Sequence, residues 1–206
     1  MIGINGKKPS LKKQNLSIAK RDRGRGMQND LEKNPIMNFK YLNLSQKKQL
    51  LKKIGEDAYD NERIYHGCCR SVIGALQSNF HLKDGGIIQA ATSLGGGVAR
   101  TGEACGALLG GLMGIGLIYA SDELDDSRTS HAYQETMEKA KRFSDMFKKE
   151  FGALRCHDVQ INLFGRCYDL TNPIMIQKFR ESDHIKCEDI VARKAAQLAA
   201  EVILEL

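Results

Sequence analysis

Cysteine thiols are the groups in this chain best equipped for chemistry. There are six, Cys68, Cys69, Cys105, Cys156, Cys167 and Cys187, in 206 residues. A thiolate attacks disulfides and ligates metals, so a surplus of cysteines points to redox or metal chemistry unless each is only a small buried hydrophobe. No Cys-x-x-Cys and no haem-attachment motif occurs, and only Cys68 and Cys69 are adjacent. Structural zinc usually takes paired ligands at short spacing and is therefore disfavoured. No long apolar run follows the basic residues near the N-terminus, and Asp22 and Gly24 interrupt Arg21, Arg23 and Arg25 as an export signal. The expected compartment is the reducing cytoplasm, where structural disulfides are rare.

Cys68, Cys105, Cys156 and Cys187 each stand near the expected start of a helix, Cys156 shortly after Gly152 and Cys187 at the head of the last one. Unpaired N–H groups and positive potential at such ends favour thiolate over thiol. His157 beside Cys156 and His184 three residues before Cys187 could add to that bias, although either reads equally as a surface residue. Other chemistry is poorly supported. The segment GGGVARTG lacks the GK[ST] that completes a phosphate loop and reads as a junction between helices. Asp122 to Asp126 reads as a solvated loop, and no Ser-His-Asp or His-x-x-x-His pattern occurs. At 6% aromatics and no Trp, an aromatic-lined nucleobase or sugar site is not expected.

The elements that must position these thiols are helical. Leu50, Leu51, Ile54 and Ala58 recur at helical spacing within Leu44 to Tyr59, with Ser45 as the expected cap. A helix follows from about Cys68 to Asn79 with Val72, Ile73, Leu76 and Phe80 as its stripe. Asp84-Gly85-Gly86 marks a turn, and a short helix over Ile87 to Leu94 stops at Gly95-Gly96-Gly97. The pattern then predicts a helix from Thr101 to Ala120, a long charged one from Ser130 to Phe151, and a last one from Cys187 to Leu206. In the long one, Met137, Ala140, Phe143, Met146, Phe147 and Phe151 should face inward. Period-two alternation is almost absent, so the expected fold is all-α: a single bundle of about five or six helices.

Its centre should be Ala104 to Ala120, where Gly102, Gly106, Gly110 and Gly114 recur every fourth residue. Glycine costs about 1 kcal/mol relative to Ala inside a helix, so something on that face should require close backbone approach, in its own domain or a second subunit. Seventeen uncharged residues fall short of a bilayer span, and acids flank both ends, so no membrane span is expected.

Formal charge is +6, but its distribution matters more than its size. Fourteen Lys or Arg face three acids through Lys53, and the remainder holds 17 bases against 22 acids. Residues 1–37 read as a basic arm, expected to be disordered, and residues 38–206 as one helical domain. The arm reads as a solvated tail, or as sequence preceding a working start at Met27 or Met37, more readily than as a tether to nucleic acid or an anionic membrane. Nucleic acid is not an expected partner.

From Leu94 to Leu117, LGGGVARTGEACGALLGGLMGIGL resembles the glycine-rich segment of the C_GCAxxG_C_C family of redox-active proteins. Ala104 stands where the pattern has Gly, while Cys105-Gly106-Ala107 and Gly110 are kept. HGCCRSVIGAL is similar to the first cysteine segment (Cys68), MFKKEFGALRCHDV to the third (Cys156) and CEDIVARKAAQLAAEVI to the last (Cys187). The resemblance spans Leu44 to Leu206, leaves Cys167 without a counterpart, and implies a redox role resting on four cysteines, in an oxidoreductase or an electron carrier.

Three readings follow. In the first, Cys68, Cys105, Cys156 and Cys187 ligate an iron–sulfur cluster for electron transfer, with Gly106 and Gly110 as cofactor-binding positions that leave room for sulfide. In the second, the same residues are metal-free redox thiols, with Cys105 attacking and another resolving. In the third, the cysteines fill the core of a non-redox binding module or store a transition metal. A redox partner protein is implied by the first two, and a homodimer is compatible with all three. Spatial proximity of the four sulfurs is what the first two require.

Overall fold

The structure is a computed structural model that describes Phe39, residues 41–82 and residues 85–206. The expected basic arm of residues 1–37, the start near Asn38 and Asp84 of the expected turn lie outside the described residues.

Helix α1 covers Leu44–Tyr65. Its start is fixed by Asn43, not Ser45: the Asn43 side chain accepts from the Gln46 N–H at 3.0 Å, and the Gln46 side chain accepts from the Asn43 N–H at 2.9 Å. Ile54, Ala58 and Glu62 are buried at four-residue intervals along it, so the helix continues beyond the expected end at Tyr59. Helix α2, Cys68–Phe80, buries Val72, Ile73, Leu76 and Phe80 as the stripe predicts. Helix α3 is short, Ile87–Thr92.

Helix α4, Gly106–Tyr119, starts five residues later than the pattern predicts. The backbone of residues 102–105 is engaged elsewhere, pairing with the chain before the sixth helix through the Ala104–Arg155 bridge. Among the described residues no strand forms. Helix α5 covers His131–Phe151 with Ser130 accepting from the Tyr133 N–H. Phe143, Phe147 and Phe151 are buried on it, but Met137 is 51% exposed because it lies in the solvated N-terminal half.

Helix α6 covers Cys156–Phe164, and α7 covers Pro173–Ser182. The sequence pattern gave no separate helix at α7, although its signal is local: Asn172 caps the N–H groups of Ile174 and Met175, and Pro173 takes the first helical position. The last helical run begins at His184, not at Cys187. A single turn, α8 (His184–Lys186), passes into a π-helical segment, Cys187–Ala192, and then into α9, Arg193–Ile203.

The bundle is built around α4, which packs on α2, α5 and α9, while α1 packs on α2 and α9. Bare backbone is what allows this. A Cβ on Gly110 would stand 2.5 Å from the Cys69 carbonyl oxygen, and one on Gly114 would stand 2.5 Å from Leu76 Cδ1. The glycine stripe therefore serves helix packing inside the domain, with α2 as its neighbour. Among the described residues, no helix is long and apolar enough to cross a membrane.

Candidate functional site

The site begins with how two helix starts are tied together. The Cys105 N–H donates to the Leu154 carbonyl at 2.8 Å, the Cys156 N–H to Glu103 at 2.7 Å, and the His157 N–H to Gly102 at 3.0 Å. These bonds lay the entry to α4 beside the entry to α6, so that Cys105, the residue capping α4, and Cys156, the first residue of α6, become neighbours. Glycine permits the approach: Gly97 has φ +74°, and a Cβ on it would stand 2.6 Å from Cys156 Cβ. Gly97 belongs to a run, Gly96 to Arg100, in which every φ is positive, including the non-glycine residues Val98 and Ala99. Left-handed residues with a Cβ cost roughly 1–2 kcal/mol each, so packing must hold this turn in place.

Cys68 opens α2, and Cys187 opens the π-helical segment. Cys68, Cys156 and Cys187 line one open cavity of about 460 Å³, together with Glu62, His66, Gln160 and His184. Cys105 is 3% exposed and interacts electrostatically with Cys156. All four thiols are free, and their charges act on one another: Cys187 and Cys156 on Cys68, Cys156 and Cys68 on Cys105, and Cys156 on Cys187.

The remaining two cysteines lie apart from this group. Cys69 is fully buried with Ile73 and Ala91, its Sγ 3.7 Å from Met113 Sδ, and burial pushes its thiol up to about 12. Cys167 is half-buried in the loop between α6 and α7. Gly106 and Gly110 face the Cys69 backbone, the first at 3.2 Å from its N and the second at 2.5 Å from its O when a Cβ is added. Their bare face is thus filled by α2.

The four thiols are electrostatically unequal. The adjacent Cys156 thiol, reinforced by burial, holds the Cys105 proton on well above the ordinary range. The same neighbour lowers Cys156 to about 7, against the opposing effect of burial. Gln160 Nε2 donates to Cys156 Sγ at 3.3 Å, and the nearby His157 imidazole acts in the same direction. Burial raises Cys68 and Cys187 well above the usual thiol range, and Glu62 adds to both.

The histidines divide differently from the sequence expectation. His157 is 2.8 Å from Asp158 and acts on Cys156, whereas His184 turns to two carboxylates, Glu188 at 2.7 Å and Glu62 at 3.5 Å. Glu62 is 2% exposed; its Oε1 accepts from the Gly67 N–H at 3.1 Å and lies 3.8 Å from Cys68 Sγ. Glu62, Gln160, His66 and Glu188 were not among the residues expected at the site. For Glu62 a signal existed, since it continues the buried spacing of Ile54 and Ala58 with a carboxylate.

Among the described residues, the group of three metal-ligating atoms all within 4.8 Å of one another is His66, His184 and Glu188. No three cysteine sulfurs are gathered that closely. A single tetrahedral zinc ion, with Zn–S near 2.3 Å, would need its sulfurs about 3.8 Å apart. No three of the cysteine sulfurs are thus placed to share one zinc ion.

Residues 66–202, two thirds of the chain, match the family model described as "Putative redox-active protein (C_GCAxxG_C_C)". No curated protein and no solved structure matches the chain significantly. The matched span takes in all four site cysteines, the glycine turn and α4, and leaves α1 outside. The family's description supports a redox role, and the chain belongs to the C_GCAxxG_C_C family.

Proposed function

We propose that Cys105 and Cys156 are a dithiol–disulfide pair that exchanges two electrons with a partner disulfide. The observation carrying this reading is the backbone pairing that lays Cys105 beside Cys156, through the Ala104–Arg155 bridge and the flanking Cys105–Leu154 and Cys156–Glu103 hydrogen bonds, and their mutual influence makes the two thiols unequal. Attack belongs to Cys156, which lines the cavity, in place of the Cys105 of the sequence reading; a proton-bearing Cys105 is the poorer nucleophile. The Cys156 thiolate attacks one partner sulfur, a mixed disulfide forms, and the other partner sulfur leaves as a thiolate. Cys105 then gives up its proton and attacks Cys156 Sγ. The Cys105–Cys156 bond forms, the mixed disulfide breaks, and the second partner thiolate leaves. The partner is reduced to two thiols, which take up the Cys105 proton and one from solvent, while this chain is oxidised to one disulfide.

The test is peptide mass mapping of the reduced chain after treatment with oxidised glutathione. A Cys105–Cys156 link is expected, with a glutathione adduct accumulating on Cys156 in Cys105→Ser. Oxidation that leaves both as free thiols overturns the assignment.

A cluster-bearing reading is favoured by a separate observation: three of the four thiols line one cavity, and the fourth, buried Cys105, interacts electrostatically with two of them. Cys68, Cys105, Cys156 and Cys187 would hold an iron–sulfur cluster, which would supply one-electron transfer. Anaerobic reconstitution with iron and sulfide distinguishes the two readings. Stoichiometric iron and sulfide with a visible chromophore, lost in Cys68→Ser, assigns the site to a cluster; an iron-free, colourless chain leaves the thiol pair.

A further inference from the structure

On the α1 side of the same cavity lies a group of side chains that the redox reading does not use. His66 follows α1, His184 opens α8, and Glu188 sits one turn further on in the π-helical segment. One donor atom from each lies within 4.8 Å of the other two. His66 Nδ1 is 3.0 Å from the Glu62 carbonyl oxygen. A carbonyl only accepts, so this nitrogen carries the proton and Nε2 keeps its lone pair, as a metal-ligating imidazole requires. His184 is held by Glu188 and Glu62 through its two ring nitrogens and packs edge-on against Phe179 and His66.

Charge makes the case stronger. Glu62 and Glu188 are both buried, and among the described residues the cationic group paired with either is His184. Arg70 is on the cavity wall, but its guanidinium is bonded to the Tyr65 and His66 carbonyls. Two desolvated carboxylates sharing one imidazole are under-compensated, which is costly in a protein interior. One oxygen, Glu62 Oε2, is buried with no hydrogen-bond partner at all.

We propose that His66, His184 and Glu188 bind one divalent first-row transition-metal ion, with the buried carboxylate of Glu62 as a fourth donor or charge partner. Two imidazoles and a carboxylate suit zinc, iron(II), cobalt(II) or manganese(II), and their chemistry sets this donor group apart from the neighbouring thiols. The site stands whether or not the cysteines exchange disulfides.

The probe is cobalt(II), titrated into the reduced full-length chain without oxygen, because its spectrum reports its ligands. Expected are one ion per chain and weak visible bands without the intense near-ultraviolet charge transfer of thiolate ligation. His184→Gln and Glu188→Gln should weaken binding by about a hundredfold or more, as ligands should exceed the roughly 10- to 100-fold losses seen for outer-shell partners. His66→Ala, at an exposed position after α1, should weaken it in a chain whose circular dichroism is unchanged, so the test survives if a buried variant fails to fold. The variant with Cys68, Cys105, Cys156 and Cys187 all changed to Ser should bind as the parent does. Absence of binding, binding unaffected by His66→Ala, or a thiolate band lost with those cysteines overturns the proposal. None of these outcomes bears on disulfide formation between Cys105 and Cys156.

Discussion

At the scale of single residues, the chemistry turns on one sulfur being unlike its neighbours. Cys156 is lowered to about 7 chiefly by the adjacent Cys105 thiol, with the Gln160 amide donating to its sulfur at 3.3 Å. Alkylation of Cys156 by iodoacetamide should therefore rise with pH through a midpoint near 7, ahead of Cys68, Cys105 and Cys187. Gln160→Leu removes a donor to the thiolate, so its midpoint should move upward, and Cys105→Ala should move it further. A profile that is the same in all three proteins, followed by mass spectrometry, would sink the account. The sequence placed four cysteines near helix starts; the structure puts Cys68 and Cys156 at first helical positions and Cys105 at a cap, whereas Cys187 lies inside a run that begins at His184. The inequality among them was not legible, because it comes from side chains such as Gln160 and Glu62 whose burial only tertiary packing decides. His184 shows the same limit: its sequence neighbour is Cys187, yet its spatial partners are Glu62 and Glu188.

At the scale of elements, glycine does two separable jobs. Within α4, the Gly110 face touches the Cys69 carbonyl, while Gly116 has nothing within 4 Å of an added Cβ. Gly110→Ala should destabilise the fold by about 1–3 kcal/mol through overpacking, and Gly116→Ala should stabilise it by up to about 1 kcal/mol through helix propensity. Urea denaturation of the two variants reads the signs directly, and equal effects would refute the packing argument. Gly97 does the other job. Its Cβ would meet Cys156 at φ +74°, so Gly97→Ala should slow Cys156 alkylation as well as lower stability. The recurrence of glycine every fourth residue made a close helix contact legible, and the structure supplies the partner, α2. The π-helical segment was not legible: Cys187, Val191 and Ala195 are buried at every fourth position, but so are Ile54, Ala58 and Glu62 in the regular α1. Nor did the late start of α4 leave a trace, because it depends on backbone pairing with residues some fifty positions away.

For the molecule as a whole, the proposed pair joins positions that the fold brings together from far apart in the chain. A Cys105–Cys156 bond would close a loop of about 50 residues, and the chain-entropy relation assigns such a closure about 4 kcal/mol of stabilisation, less any strain. Little backbone rearrangement should be needed, because the two helix entries are already held by the Cys105–Leu154 and Cys156–Glu103 hydrogen bonds. The oxidised chain should therefore unfold at higher urea concentration than the reduced one, and Cys105→Ser should abolish the difference. Linkage adds a second measurement of the same quantity. Whatever free energy the bond adds to the fold must also make it harder to reduce in the folded chain than in the unfolded one. At about 30 mV per 1.4 kcal/mol for a two-electron couple, 4 kcal/mol corresponds to a potential on the order of 90 mV more negative. Denaturation midpoints and glutathione equilibration of folded and unfolded protein must agree on this figure. Oxidised protein no more stable than reduced, or a folded-state potential no lower than that of the unfolded chain, would mean that this pair is not the one the fold was built to join.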